Sequence, residues 1–289
     1  MRSIAVVCLL LTSFSLSGVA AADDTKPEDI VAKHLDSIGT AEARAAVKSR
    51  GIQGSLSFKI LARGTTSGDE AATGDATGMW GYISEQRESN FVMKFGSAAW
   101  RGERFVFDGD KTNFAVFTSS HRPSSFGDFV RTQDFILKEG WLGGELSTGW
   151  ALENLDRSRG KLDPVGLKKI DGRELQCIEY VSKANTDMTI KLYFEPETYR
   201  HVMTVYSLVW TPGTGHASGV HADQGQIRYT IEERFSNFQA DSGITLPRHY
   251  DLRFIYEPQR GATRSYDWDM TAEKVLTNIG LDPANFQIK

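Results

Sequence analysis

The sequence predicts an α+β chain that is mainly antiparallel β, with about ten to twelve strands, an N-terminal helix and a central helical insertion. Three observations carry this. From Gly51 onward, apolar and polar residues alternate in run after run, the period of strands with one buried and one solvated face. Twenty-seven glycines stand against eight prolines, which favours many tight turns. A single stretch, 124–155, leaves period two for helical spacing.

The 289 residues are 40% hydrophobic and 24% charged, with 16 Phe, 9 Tyr and 6 Trp. That aromatic content can bury a large core and argues against disorder. The formal net charge of -4 offers no electrostatic footprint for nucleic acid and no polybasic membrane anchor.

The first 22 residues read as an export signal. Arg2 opens a short positive region, Ile4 to Leu16 is apolar apart from Thr12, Ser13 and Ser15, and Val19-Ala20-Ala21-Ala22 supplies a small-residue cleavage site. The apolar core is shorter than the roughly 20 residues that span a bilayer. The expectation is therefore a cleaved signal peptide at 1–22 and a single domain at 23–289, periplasmic or secreted. Cys8 lies inside the apolar core, so lipidation there is not expected. Cleavage leaves only Cys177, which excludes an intramolecular disulfide. Its strand-like setting, Leu175-Gln176-Cys177-Ile178, makes it a small buried hydrophobe.

The elements follow in order. Thr25 with Glu28 forms a capping-box pattern, Pro27 suits a first helical turn, and Ile30, Val31, His34, Leu35 and Ile38 make one apolar stripe. On that stripe His34 reads as a half-buried cover to the core. Gly39 ends the helix and Thr40 restarts it into 41–47. Period two then runs through Ile52, Leu56, Phe58 and Ile60, through Phe91, Met93 and Phe95, and through Phe105 and Phe107. It returns in Met188, Ile190, Leu192 and Phe194, in Ile227, Tyr229 and Ile231, in Tyr250, Leu252, Phe254 and Tyr256, and in Tyr266, Trp268 and Met270. The Asp-Gly pairs at 108–109 and 171–172 are hairpin turns.

Within 124–155, Phe126, Phe129, Val130, Ile136 and Leu137 recur at helical spacing, and Trp141, Leu142, Leu146, Trp150, Leu152 and Leu155 continue the apolar series. This predicts two helices inserted midway through the sheet. Gly143, Gly144 and Gly149 would permit close packing or movement there.

Phe107-Asp108-Gly109 precedes a strand; Lys169-Ile170-Asp171-Gly172 leads into Cys177-Ile178-Glu179-Tyr180; and Ile190-Lys191-Leu192-Tyr193-Phe194-Glu195-Pro196-Glu197-Thr198 closes another strand. Near the end, Phe235-Ser236-Asn237-Phe238 is followed by Gly243-Ile244-Thr245-Leu246-Pro247. With the order of elements, these phrases give the chain a likeness over most of its length: it resembles the LolA/LolB-like outer-membrane lipoprotein-sorting superfamily of the bacterial envelope. The resemblance implies an incomplete, half-open β-barrel closed by helices, with a non-enzymatic task and no cofactor. It further implies that the inner face shelters the acyl chain of a lipid or lipidated protein.

The residues that would line such a channel are Phe58, Ile60, Phe91, Met93, Phe95, Ile190, Leu192, Phe194, Leu252 and Phe254. They are equally readable as plain core beneath the helices. Two alternatives stay open beside carriage. One is an envelope sensor or scaffold that binds a membrane-protein partner. The other is a metal-dependent hydrolase using His216, His221 and Asp223, whose imidazole and carboxylate donors suit zinc but sit in the glycine-rich 211–225 loop. No Gly-x-Ser-x-Gly elbow, His-Glu-x-x-His pair, dinucleotide fingerprint or P-loop occurs. The paired acids Glu232-Glu233 and Asp267/Asp269 have a simpler reading than a glycosidase pair; Asp267 and Asp269 share the solvated face opposite Tyr266, Trp268 and Met270.

Overall fold

The computed structural model describes residues 25–63, 70–96, 100–117, 123–157, 160–183, 187–211 and 225–288. The expected signal segment at 1–22 lies outside the described residues, as do His216, His221 and Asp223.

Twelve strands form one antiparallel sheet: β1 Ser49–Arg63, β2 Glu70–Glu85, β3 Glu88–Phe95, β4 Gly102–Phe107, β5 Thr112–Val116, β6 Gly160–Ile170, β7 Arg173–Ser182, β8 Met188–Phe194, β9 His201–Trp210, β10 Ile227–Asp241, β11 Ile244–Pro258 and β12 Thr263–Thr277. Their spatial order is β5-β4-β3-β2-β1-β12-β11-β10-β9-β8-β7-β6. The sheet is thus two meanders joined where β1 pairs with β12, and β5 and β6 remain as edges. It does not close into a barrel, so the half-open architecture expected from the sequence is observed.

Within each meander, sequence-adjacent strands pair antiparallel, and hairpin chemistry fixes two of the turns. Asp171 and Gly172 both take positive φ, 48° and 81°, the backbone of a two-residue primed turn between β6 and β7. The other Asp-Gly pair works differently: Asp108 Oδ1 accepts from the amides of Asp110 and Lys111 at 3.0 and 2.7 Å, holding a longer loop.

The period-two expectation describes the sheet well. Phe58 faces Trp268, Leu56 faces Met270, and Ile231 faces Phe254 across neighbouring strands, all buried on the concave side. Asp267 and Asp269 lie on the convex side, as expected. Cys177 is fully buried there in a small second cluster with Leu175, Tyr193, Val202 and Met203. Burial pushes its thiol up to about 11, so it behaves as an inert hydrophobe.

Four α-helices accompany the sheet among the described residues: α1 Pro27–Ile38, α2 Ala41–Ala46, α3 Ser125–Thr132 and α4 Phe135–Lys138. The start of α1 differs from the capping box expected at Thr25 and Glu28. Its N-cap is Lys26, with no side-chain cap, and the Lys26 carbonyl accepts from Asp29 and Ile30. Pro27 accounts for the shift: it occupies the first turn, where its missing N–H costs nothing. Thr40 does cap α2, accepting from the Ala43 amide. The insertion is shorter in helix than expected, since beyond α4 it continues as two 3-10 segments, Gly144–Leu146 and Ala151–Arg157. Positive φ at Gly140, Gly143 and Gly144 breaks the longer helix that the apolar spacing suggests.

Candidate functional site

The concave face of the sheet is the candidate site, and two covers lie over it. The first is α1, which packs on β11 and β6 and buries Ile30, Val31, His34 and Ile38. The second is the insertion. Phe126 of α3 meets Trp268 at 5.1 Å, Phe105 at 5.5 Å and Phe254 at 5.8 Å between ring centroids, and Phe129 meets Phe254 at 5.4 Å. Trp141 sits 4.2 Å from Tyr180. Such separations are those of packed aromatic pairs.

All ten predicted lining residues lie on this face. Phe58, Phe91, Met93, Phe95, Ile190, Leu192, Phe194, Leu252 and Phe254 are buried in one continuous core, and Ile60 is half-buried against it. The structure brings them together beneath the two covers. A groove of about 440 Å³ elsewhere has charged and polar side chains, Asn237, Gln239, Asp241, Arg248 and Lys274, in its lining beside Ala272 and Val275.

The boundary between insertion and sheet carries a set of buried polar groups that sequence reading missed. Glu233 of β10 is fully buried. Its Oε1 accepts from the Gly143 amide at 2.7 Å and the Tyr250 hydroxyl at 2.5 Å, and its Oε2 accepts from the Tyr206 hydroxyl at 2.6 Å. Burial pushes its carboxyl up to about 7, against the opposing pull of these three donors. Beside it the Tyr82 hydroxyl donates to the Leu142 carbonyl at 3.4 Å.

Glu145, inside the insertion, is also buried, and its carboxyl is held well above the usual range by desolvation despite Arg50 nearby. Buried Arg50 of β1 donates to the Glu145 carbonyl at 2.5 Å. Nε2 of His34 stands 3.5 Å from Oε2 of Glu145, and Nδ1 of His34 is 2.8 Å from the Tyr199 carbonyl. His34 is therefore wholly buried rather than half-buried, because the insertion closes over it. Desolvation lowers it to about 4, so it is neutral at ordinary pH. Its ring lies 6.0 Å from that of His201, which burial also keeps neutral and which bonds Thr204 Oγ1 at 2.8 Å.

A third carboxylate fastens the other end of the insertion. Glu103 of β4 is fully buried. Its Oε1 accepts from the Ser124 hydroxyl at 2.7 Å and its Oε2 from the Ser124 amide at 3.3 Å. The same Ser124 hydroxyl caps α3, accepting from Gly127 at 2.9 Å. Burial raises Glu103 to about 7. Finally, half-buried Glu139 accepts from Tyr180 at 2.8 Å, Trp141 at 3.1 Å and Ser182 at 3.3 Å.

These residues did leave a mark in the sequence. Glu233 shares parity with Ile231 and Phe235, Glu103 with Phe105, and Arg50 with Ile52. A charge in an inward register is the signal; only the partners were hidden.

No family model matches the chain, and no curated protein matches it. Along most of its length it is similar to solved structures. One is a DUF1329 family protein from Desulfovibrio piger, 13% identical, covering 91% of this chain and 98% of that one with a TM-score of 0.46. Another is a LolA superfamily protein from Nitrosomonas europaea, 13% identical, with coverage of 91% and 98% and a TM-score of 0.41. A third is a putative outer membrane lipoprotein-sorting protein domain from Vibrio parahaemolyticus, 10% identical, with coverage of 89% and 95% and a TM-score of 0.45.

Proposed function

We propose that this is an exported, non-enzymatic carrier in the cell envelope, which shelters an acyl chain of a lipid or lipidated protein on the concave face of its sheet. The reading rests on one observation: the insertion is fastened to the sheet by buried polar contacts at Glu233, Glu145 and Glu103. A permanent cover needs only apolar contact. Hydrogen bonds exchange for water at a net of about 1 kcal/mol each, so a cover held this way can detach without leaving its polar groups stranded. Detachment uncovers Phe254 and Trp268, now beneath α3. An acyl chain laid there contributes about 0.8 kcal/mol per buried CH₂, or about 13 kcal/mol for sixteen carbons, and this opposes the loss of the α3 contacts.

The test is dye uptake by protein purified from the envelope, before and after delipidation, with circular dichroism following the fold and native mass spectrometry following bound mass. Carriage predicts an acyl-sized mass on the purified protein. It also predicts uptake of an environment-sensitive dye by delipidated, folded protein, and displacement of that dye by fatty acid. Folded protein that binds neither dye nor fatty acid overturns carriage, and a scaffold for a membrane-protein partner takes its place.

A further inference from the structure

The convex face, away from the insertion, carries a cluster of different chemistry. His249 and Asp251 alternate along β11, and Asp269 lies on β12 beside them. Nε2 of His249 is 3.1 Å from Oδ1 of Asp251 and 3.9 Å from Oδ1 of Asp269. One donor atom from each of the three lies within 4.8 Å of the others. None is deeply buried, so the donors face solvent on a rigid two-strand platform.

The register makes this arrangement costly without a cation. Asp251 stands directly opposite Asp269 in the β11–β12 pairing, and like charges at such positions repel. The next outward-facing pair is Arg253 opposite Asp267, where a guanidinium makes two bonds to the carboxylate, at 3.0 and 2.9 Å. Across the other flank Arg234 stands opposite Asp251, but its guanidinium is turned to Asp171 at 2.7 Å and Glu232 at 3.6 Å. The remaining neighbours in register, Ser57 beside Asp269 and Ser236 and Thr271 beside His249, are uncharged. An imidazole and two carboxylates thus converge where, among the described residues, no Arg or Lys makes an ion pair with either carboxylate.

We propose that His249, Asp251 and Asp269 bind one divalent transition-metal ion of the zinc class on the convex face. The donor set decides the class. Imidazole nitrogen with two carboxylate oxygens suits zinc and its first-row neighbours, whereas calcium and magnesium favour all-oxygen sets. Three protein donors leave further coordination positions to solvent. The strands supply the rigidity that ligand geometry requires, since all three donors project from paired backbone.

The test is calorimetric titration of the full metal-stripped protein with zinc chloride, in parallel with calcium chloride, with thermal melts of each sample. The expected result is one equivalent of zinc bound, a raised melting temperature, and no comparable response to calcium. His249→Gln and Asp269→Asn should each weaken zinc binding by about tenfold or more. Asp269→Asn removes the like-charge pair, so the metal-free variant should melt no lower than the parent, which separates lost binding from lost folding. A double variant, His216→Ala with His221→Ala, should bind zinc unchanged. Absence of stoichiometric zinc binding overturns the proposal. So does equal binding by the His249 and Asp269 variants, or loss of binding only in the His216/His221 variant.

Discussion

Glu233 of β10 accepts the amide proton of Gly143, ninety positions earlier in the chain, at 2.7 Å. That contact ties the insertion to the centre of the sheet. Because Tyr206 and Tyr250 bond the same carboxyl, removing it strands three buried donors. Glu233→Leu should cost about 3 kcal/mol or more, since each unsatisfied buried group costs about 1–3 kcal/mol. Glu233→Gln retains an acceptor for Gly143 and should cost less than half as much. Urea unfolding of the two variants measures the difference, and equal losses would show that the hydrogen bonds do not matter.

Stability should decline as pH rises toward neutrality. Glu103 and Glu233 are raised to about 7 in the folded protein from 4.5. Between those values the folded state holds protons that the unfolded chain has released, so stability falls with rising pH across that window. His34, lowered to about 4 from 6.5, acts oppositely: between those values the unfolded chain binds more protons, and stability rises with pH. The trends oppose one another below about 6.5, where buried His201 joins His34 and buried Glu145 joins the glutamates, and above it the glutamates act alone. Full ionisation of each costs on the order of 3 kcal/mol. Urea midpoints should therefore fall most steeply between about pH 6.5 and about pH 7, and the Glu103→Gln/Glu233→Gln double variant should flatten that fall.

The two faces of β8 should respond differently to charge. Leu192 is fully buried in the main core, so Leu192→Asp places an unpaired charge there and should cost several kcal/mol. Lys191 is part-exposed beside Glu179 at 3.7 Å, and Lys191→Asp should cost less than about 1 kcal/mol. Equal damage from both, by chemical denaturation, would contradict the inward and outward assignment.

Gly144 tests the fastening from the insertion's side. It takes φ 52°, and a Cβ there would lie 2.9 Å from Cζ of Phe235. Gly144→Val should lift the segment off β10, costing about 1–3 kcal/mol of strain and overpacking. If the insertion is the cover of an acyl site, this variant should take up hydrophobic dye faster than the parent while keeping its β circular dichroism. A variant as stable and as dye-resistant as the parent would count against the cover.

What the sequence determined was whatever depends on neighbours along the chain. Alternation in 188–194 and 266–270 set which side chains face the core, because strand side chains alternate by geometry alone. Asp171-Gly172 set a tight hairpin because glycine accepts positive φ freely. The apolar stripe of α1 followed from helical spacing, although Pro27 moved its cap by one residue. The shared inward face of Phe58, Phe91, Met93, Phe95, Ile190, Leu192, Phe194, Leu252 and Phe254 was legible for the same reason. The partners of Glu233, Glu103 and His34 were not. Their inward register was visible beside Ile231, Phe105 and Ile30, but Gly143, Ser124 and Glu145 reach them from far along the chain. Whether a buried carboxyl is stranded or bonded depends on which loop arrives above it. The same holds for Asp251 and Asp269, which are 18 positions apart by number yet directly opposed once β11 and β12 pair. Local periodicity decides facing; only folding decides what each face meets, because long-range contacts are set by how whole elements pack rather than by any residue's own preference.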